Sequence, residues 1–181
     1  MNILLITGES GVGKTAIGLA VSKQLRATFL RSRDIARFLA HREGFTGAHD
    51  WIKTRGLKAA AEAVHNEILA AVDNAQSDAL IVIDGVYDTQ LLTKIEERVG
   101  KDSMHIVEIT VPKDKRLDHT DTSDPDQTNA IQQEMEFLDG LKKSAGLHDV
   151  TNKAELIVEN LHMDSSIEVI TAFLAKHASE V

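Results

Sequence analysis

The sequence predicts an α/β protein built on a parallel sheet, and three observations carry that prediction. Short apolar runs alternate with stretches of helical periodicity along the chain. One of those runs, Ala79 to Ile83, is apolar at every position, as a central parallel strand buried on both faces must be. Residues 8–15 read Gly-Glu-Ser-Gly-Val-Gly-Lys-Thr and stand between a strand pattern and a helix pattern.

The elements follow in order. Asn2 to Thr7 reads as a buried strand bounded by Gly8. Lys14 to Leu25 reads as a helix, with Ile17, Ala20, Val21 and Leu25 near helical spacing. Ala27 to Leu30 is a second strand and Asp34 to Ala40 a helix, after which Gly44 and Gly47 open a loop. Trp51 to Asn74 reads as one long helix, because Leu57, Ala61, Val64, Ile68 and Val72 build a single apolar stripe. Ala79 to Ile83 is the third strand. Gln90 to Val99 is a helix that Asp88 can cap. His105 to Val111 is the fourth strand, ended by Pro112. The polar stretch His119 to Gln127 is the candidate for local disorder, and a helix follows from about Thr128 to Ala145. Glu155 to Glu159 is the fifth strand. The last helix runs from about Ser165, with Glu168 completing a capping box, to about His177.

Composition narrows the function classes. A chain of 181 residues fits one domain, here taken as 1–181. The 20 basic and 28 acidic residues leave a net charge of −8, which argues against wrapping nucleic acid or coating an anionic membrane. There is no cysteine, hence no disulfide framework, zinc finger or thiol nucleophile. No apolar run approaches the ~18 residues of a membrane span, so the chain reads as soluble and cytoplasmic. The charge is uneven: Arg26, Arg31, Arg33, Arg37, Arg42 and Arg55 lie in the first third, where an anionic small molecule is expected. The eight histidines show no metal-ligand spacing and read as ordinary surface or core residues.

The segment 8–15 is G-x-x-x-x-G-K-[ST], the Walker A phosphate loop. Its glycines let backbone N–H groups curl around phosphate oxygens. Gly8, Glu9, Ser10, Gly11, Val12 and Gly13 form the cradle, Lys14 reaches the outer phosphates, and the Thr15 hydroxyl is placed for Mg²⁺. Asp84 ends a hydrophobic strand, the Walker B position for Mg²⁺, and also precedes Gly85, a pairing common in turns. Asp34 lies just past strand two. It can take a proton from an attacking hydroxyl, bind a ribose or cap a helix. Arg33 and Arg37 share a helix face that can bind an acceptor's phosphate or carboxylate, or simply be solvated. Arg42 and Arg55 flank a loop that holds Trp51, a core residue or a base-stacking platform.

These residues resemble the nucleoside-monophosphate-kinase-like branch of P-loop proteins, in outline dephospho-CoA kinase and its archaeal-type relatives. Four stretches carry the resemblance: 8–15, Ser32 to Arg37, Ile83 to Val86, and Ala154 to Asn160. It implies a five-stranded parallel sheet in the order 2-3-1-4-5 wrapped by helices, an acceptor-binding insert at about 37–75 and a lid at about 113–130. It also places Asn160 at the start of a loop near the nucleotide base. The implied chemistry is transfer of the ATP γ-phosphoryl group, with Mg²⁺, to a small acceptor, with Lys14, Asp34 and Arg116 in the catalytic roles. Arg33, Arg37, Arg42, Arg55 and Asp84 would bind substrate, and Thr15 and Asp84 the metal. The lid departs from the pattern: after Arg116 come Asp118, Asp121, Asp124 and Asp126, where further arginines are expected. Lys113, Lys115, Lys142 or Lys143 can partly replace them as point charges. Two functions stay open, a kinase for an anionic acceptor such as a nucleotide or CoA precursor, and a nucleotide-binding switch with weak or no phosphotransfer.

Overall fold

The computed structural model of the chain describes residues 1–116 and 125–178. The side chains of Asp118, Asp121, Asp124 and Asp126 lie outside the described residues, and so does most of the stretch 119–127.

In chain order the elements are β1 (Asn2–Thr7), α1 (Lys14–Leu25), β2 (Thr28–Arg31), α2 (Ser32–Arg42), α3 (Ala48–Arg55), α4 (Leu57–Asp73), β3 (Leu80–Asp84), α5 (Thr89–Val99), β4 (Met104–Thr110), α6 (Pro125–Ala145), α7 (Leu147–Thr151), β5 (Leu156–Glu159) and α8 (Met163–Ala178). The five strands form one sheet in the order β2-β3-β1-β4-β5, every pair parallel.

The pleat sorts the apolar residues into two layers. Ile3 and Leu5 of β1 join Ile81 and Ile83 in a cluster closed by Leu39, Trp51, Ile68, Leu91 and Ile95 from the helices on that side. Leu4 and Ile6 join Val82, Val107 and Ile109 in a second cluster, closed by Ile17 and Val21 of α1 and Ile170 and Leu174 of α8. The result is a three-layer sandwich with helices on both faces of the sheet.

Most element ends fall within one to three residues of the sequence reading, and three features differ from it. The predicted helix Trp51–Asn74 is two helices, because Gly56 takes φ +84°. Its N–H closes α3 by donating to the Ile52 carbonyl at 2.9 Å. Leu57, the first member of the predicted stripe, is therefore exposed, while Val64, Ile68 and Val72 are buried. The capping box at Ser165 does not form, since α8 begins at Met163 and Ser165 falls inside its first turn. Helix α7 was not foreseen; at five residues it is too short to display a period. Asp88 does cap α5, accepting from the Gln90 N–H at 2.6 Å. Among the described residues no helix is long and apolar enough to cross a membrane.

The register fixes where chemistry can happen. Ile6 of β1 stands beside Asp84 of β3, and Asp84 stands beside Arg31 of β2. The glycine-rich segment follows directly from β1. All these groups lie at the carboxyl edge of the sheet, where open parallel sheets bind ligands.

Candidate active site at the carboxyl edge of the sheet

The loop between β1 and α1 is shaped by glycines that no other residue could replace without movement. Gly8, Gly11 and Gly13 have φ of +130°, +74° and +85°. A Cβ at Gly8 would lie 2.3 Å from the Ile109 carbonyl oxygen, and one at Gly13 would lie 2.5 Å from Asn160 Nδ2. Helix α1 starts at Lys14 with no side-chain cap. Its first-turn N–H groups and its dipole therefore face the loop, as anion binding requires.

Lys14 is buried, and its Nζ donates to the Glu9 carbonyl oxygen. Burial, reinforced by the charge of Lys142, lowers its pKa to about 7. The Thr15 hydroxyl donates to Asp84 Oδ2 at 2.6 Å. These two hard oxygen donors fit Mg²⁺, which takes oxygen ligands and a carboxylate by preference.

From Asp84 a chain of charges runs outward. Arg31 Nε lies 3.7 Å from Asp84 Oδ2, and its guanidinium is 3.5 Å from Asp34 Oδ1. Arg37 approaches the same Asp34 oxygen at 3.6 Å. Asp34 does not cap α2; the helix begins at Ser32, so Asp34 sits within its first turn. There its charge is favourable to the helix dipole. Its side chain is 56% exposed, which leaves it open to a ligand. A cavity of about 340 Å³ lies beside it, lined by Arg31, Asp34, Phe29, Phe38 and Glu67.

A second cluster covers the other side of the loop. Arg116, buried, donates from Nε to the Ser10 carbonyl oxygen at 2.9 Å and from a terminal nitrogen to Glu9 Oε2 at 2.8 Å. Its other terminal nitrogen pairs with Asp139 of α6. Asp139 also accepts from the Ser10 N–H at 2.7 Å. Burial alone would raise the Asp139 carboxyl, but the bonds from Arg116 and Ser10 outweigh it and hold the group below the ordinary range. Lys142 donates to Ser10 Oγ at 2.6 Å, and its Nζ lies 5.0 Å from the Tyr87 ring centroid. Lys143 approaches Glu9 Oε1 at 3.2 Å. Burial lowers the pKa of Lys142, with Asp139 opposing.

The remaining expected residues do not gather in one place. Asn160 is buried under the loop, donating to the Val12 carbonyl at 3.0 Å and accepting from Ser166 Oγ at 3.1 Å. Arg42 is paired with Glu67, and Arg55 with Glu43, on the outer faces of α2 to α4. Arg33 lies in the first turn of α2. Trp51 is fully buried in the core, which removes it as a base-stacking platform.

Arg31, Tyr87 and Asp139 were not singled out from the sequence. Arg31 was legible only as one more arginine, because its strand was read as ending at Leu30. Asp139 and Lys142 carried a signal: charges three apart on an amphipathic helix, on the face that packs inward.

A five-stranded parallel sheet in 2-3-1-4-5 order, with a Walker A loop leaving β1 and an aspartate ending β3, defines the three-layer P-loop nucleotide-binding fold. No family model and no curated protein matches the chain. Solved structures do. Shikimate kinase from Bacteroides thetaiotaomicron is similar at 15% identity over 96% of this chain and 98% of that one, with a TM-score of 0.61. Shikimate kinase from Aquifex aeolicus vf5 is similar at 16% identity, over 97% of this chain and 98% of that one, with a TM-score of 0.62. Shikimate kinase from Acinetobacter baumannii, in complex with shikimate, is similar at 16%, over 97% and 94%, with a TM-score of 0.56. The likeness is one of fold alone, and none of these three structures is a dephospho-CoA kinase.

Proposed function

We propose that the protein is an ATP-dependent kinase acting on a small anionic acceptor. The observation that carries this reading is the chain Thr15–Asp84–Arg31–Asp34. It joins the metal-binding pair at the foot of the phosphate loop to an exposed carboxylate beside a cavity. A pure nucleotide-binding loop has no use for that second acid.

In this reading the N–H groups of Gly11 to Thr15 and the Lys14 ammonium bind the ATP phosphates. Mg²⁺ held by Thr15 and Asp84 would offset phosphate charge. Asp34 accepts the proton of the acceptor hydroxyl as its oxygen bonds to the γ-phosphorus and the bond to the β–γ bridging oxygen breaks. Arg116 and Lys142 stabilise the charge that develops on the equatorial oxygens, so two cations stand where the lid sequence supplies one arginine. Arg33 and Arg37, beside Asp34, hold the acceptor's phosphate or carboxylate. Arg42 and Arg55 are already matched by glutamates and act further out, on the segment 37–75 proposed as the acceptor insert. A nucleotide, a CoA precursor or a carboxylated alcohol such as shikimate fits this requirement. The residues 113–130 form the proposed lid, and the location is cytoplasmic.

The second reading, a nucleotide-binding switch, is favoured by one observation: Arg116 is already engaged by Glu9, Ser10 and Asp139. Acceptor-dependent ADP release separates the two. ATP and Mg²⁺ are incubated with nucleoside monophosphates, dephospho-CoA, shikimate and other small carboxylated or phosphorylated alcohols, with Lys14→Ala as the blank. Turnover well above the blank with one acceptor supports the kinase. ATP binding with no acceptor-dependent turnover supports the switch.

A further inference from the structure

Three side chains meet at the end of the sheet opposite the phosphate loop. His105 is the second residue of β4 and stands beside Leu4 of β1, toward the amino ends of the strands. Glu155 directly precedes β5, and His177 lies in the last turn of α8. One donor atom from each lies within 4.8 Å of the other two. None of the three takes part in the site described above. Spacing in the sequence could not reveal them, because 50 residues separate His105 from Glu155 and the sheet closes that gap.

The donor atoms are already oriented. His177 Nδ1 is 2.9 Å from the Phe173 carbonyl oxygen, so that nitrogen carries the proton and Nε2 keeps its lone pair. A backbone carbonyl on the far ring nitrogen is the usual support of a metal-binding histidine. Glu155 Oε1 accepts from the Ile106 N–H at 3.3 Å, which turns Oε2 toward His105 Nδ1 at 3.2 Å. The His105 ring is held edge-on by Phe173, with centroids 5.7 Å apart at 88°. The two imidazole centroids are 4.7 Å apart.

Two ligands bound at about 2.1 Å to a tetrahedral zinc ion lie roughly 3.4 Å apart. His105 and Glu155 are at that separation now, and His177 needs a shift of about an ångström to join them. Two neutral imidazoles and one carboxylate are a set that zinc favours over Mg²⁺ or Ca²⁺, which prefer oxygen alone. A cavity of about 710 Å³ is lined by all three residues, and also by Lys101, Asp102 and Lys153. It offers an entry path and room for water in the fourth position. The geometry points to a site for a zinc-class divalent cation formed by His105, Glu155 and His177, which clips the end of α8 to the β4–β5 edge.

The test is a Zn²⁺ titration of the full chain against a chromophoric chelator, in phosphate-free buffer with excess Mg²⁺ to mask the Thr15–Asp84 pair. The expected result is one zinc per chain with Kd below about 1 μM. His177→Ala and Glu155→Gln should each weaken binding at least about tenfold. Zinc should raise the melting temperature of the native chain and not that of either variant. Glu155 is exposed and His177 only partly buried, so both variants leave the core intact; circular dichroism checks this. Absence of binding at micromolar zinc, or equal binding by folded variants, would overturn the proposal and leave His105 and Glu155 a hydrogen-bonded pair.

Discussion

The Thr15 hydroxyl donates to the Asp84 carboxylate at 2.6 Å, closing a gap of 69 residues at the foot of the phosphate loop. The bond exists because β1 and β3 are neighbours in register, with Ile6 beside Asp84. Each oxygen is the other's partner until a cation takes the proton's place. Thr15→Val keeps the shape and removes the donor. The expected outcome is a loss of about tenfold or more in the Mg²⁺ stimulation of ATP binding, with ATP binding without metal much less affected. Titration calorimetry with and without Mg²⁺ measures both.

Lys14 gives the free protein a pH signature. Its folded pKa is lowered to about 7 by burial, while in the unfolded chain it stays near 10.5. The unfolded state therefore binds more protons between those values, and stability rises with pH across that window. ATP phosphates restore the charged form, so binding takes up a proton just above pH 7 and weakens as pH rises further. Calorimetry in buffers of different ionisation enthalpy reads the uptake. Lys14→Met should abolish nucleotide binding yet stabilise the free protein by about 1–3 kcal/mol at pH 7, since the desolvation cost of a buried ammonium is removed.

Arg116 and Asp139 form a buried pair over Ser10. Removing only the cation leaves the carboxylate facing a single lysine, so Arg116→Ala should cost about 3 kcal/mol in urea unfolding. Asp139→Asn in the same chain should recover part of it. The Asp139 pKa is depressed, so the pair's contribution is fully present above the unfolded value near ~3.9 and is lost as pH falls through the folded one. If Arg116 also acts on the transferring phosphoryl group, turnover should fall about 10³-fold or more, beyond any loss of folded protein.

Two glycines with the same backbone angle separate strain from collision. Gly13 and Gly44 both have φ +85°, but nothing lies within 4 Å of a Cβ at Gly44, whereas one at Gly13 meets Asn160. Gly44→Ala should cost about 1–2 kcal/mol and leave ATP binding intact. Gly13→Ala should cost more and displace the loop, with ATP affinity lost. Thermal melts and nucleotide titration distinguish them.

Arg33 and Arg37 are tested by acceptor kinetics once an acceptor is known. The double alanine variant should raise the acceptor KM by about tenfold or more with little change in the KM for ATP. Unchanged acceptor kinetics would place the acceptor elsewhere.

The sequence determined the scaffold and one half of the candidate site. β1 and α1 have the bounds their apolar runs predicted, and residues 8–15, which run from the end of one into the start of the other, declare a phosphate loop, because both signals are local in the chain. Helix α4 kept most of its stripe, but the break before it at Gly56 was missed, since every member of that stripe lies beyond Gly56 and does not mark where the helix starts. What only the tertiary structure decided is which charges meet. Arg31 became part of the site through strand register with Asp84, and Asp139 and Lys142 through the packing of α6 over Ser10. His105, Glu155 and His177 became neighbours because parallel strands return each crossover to the same edge. Periodicity says which face of an element is buried; what it is buried against depends on contacts between residues far apart in the chain, and those are set only when the sheet assembles.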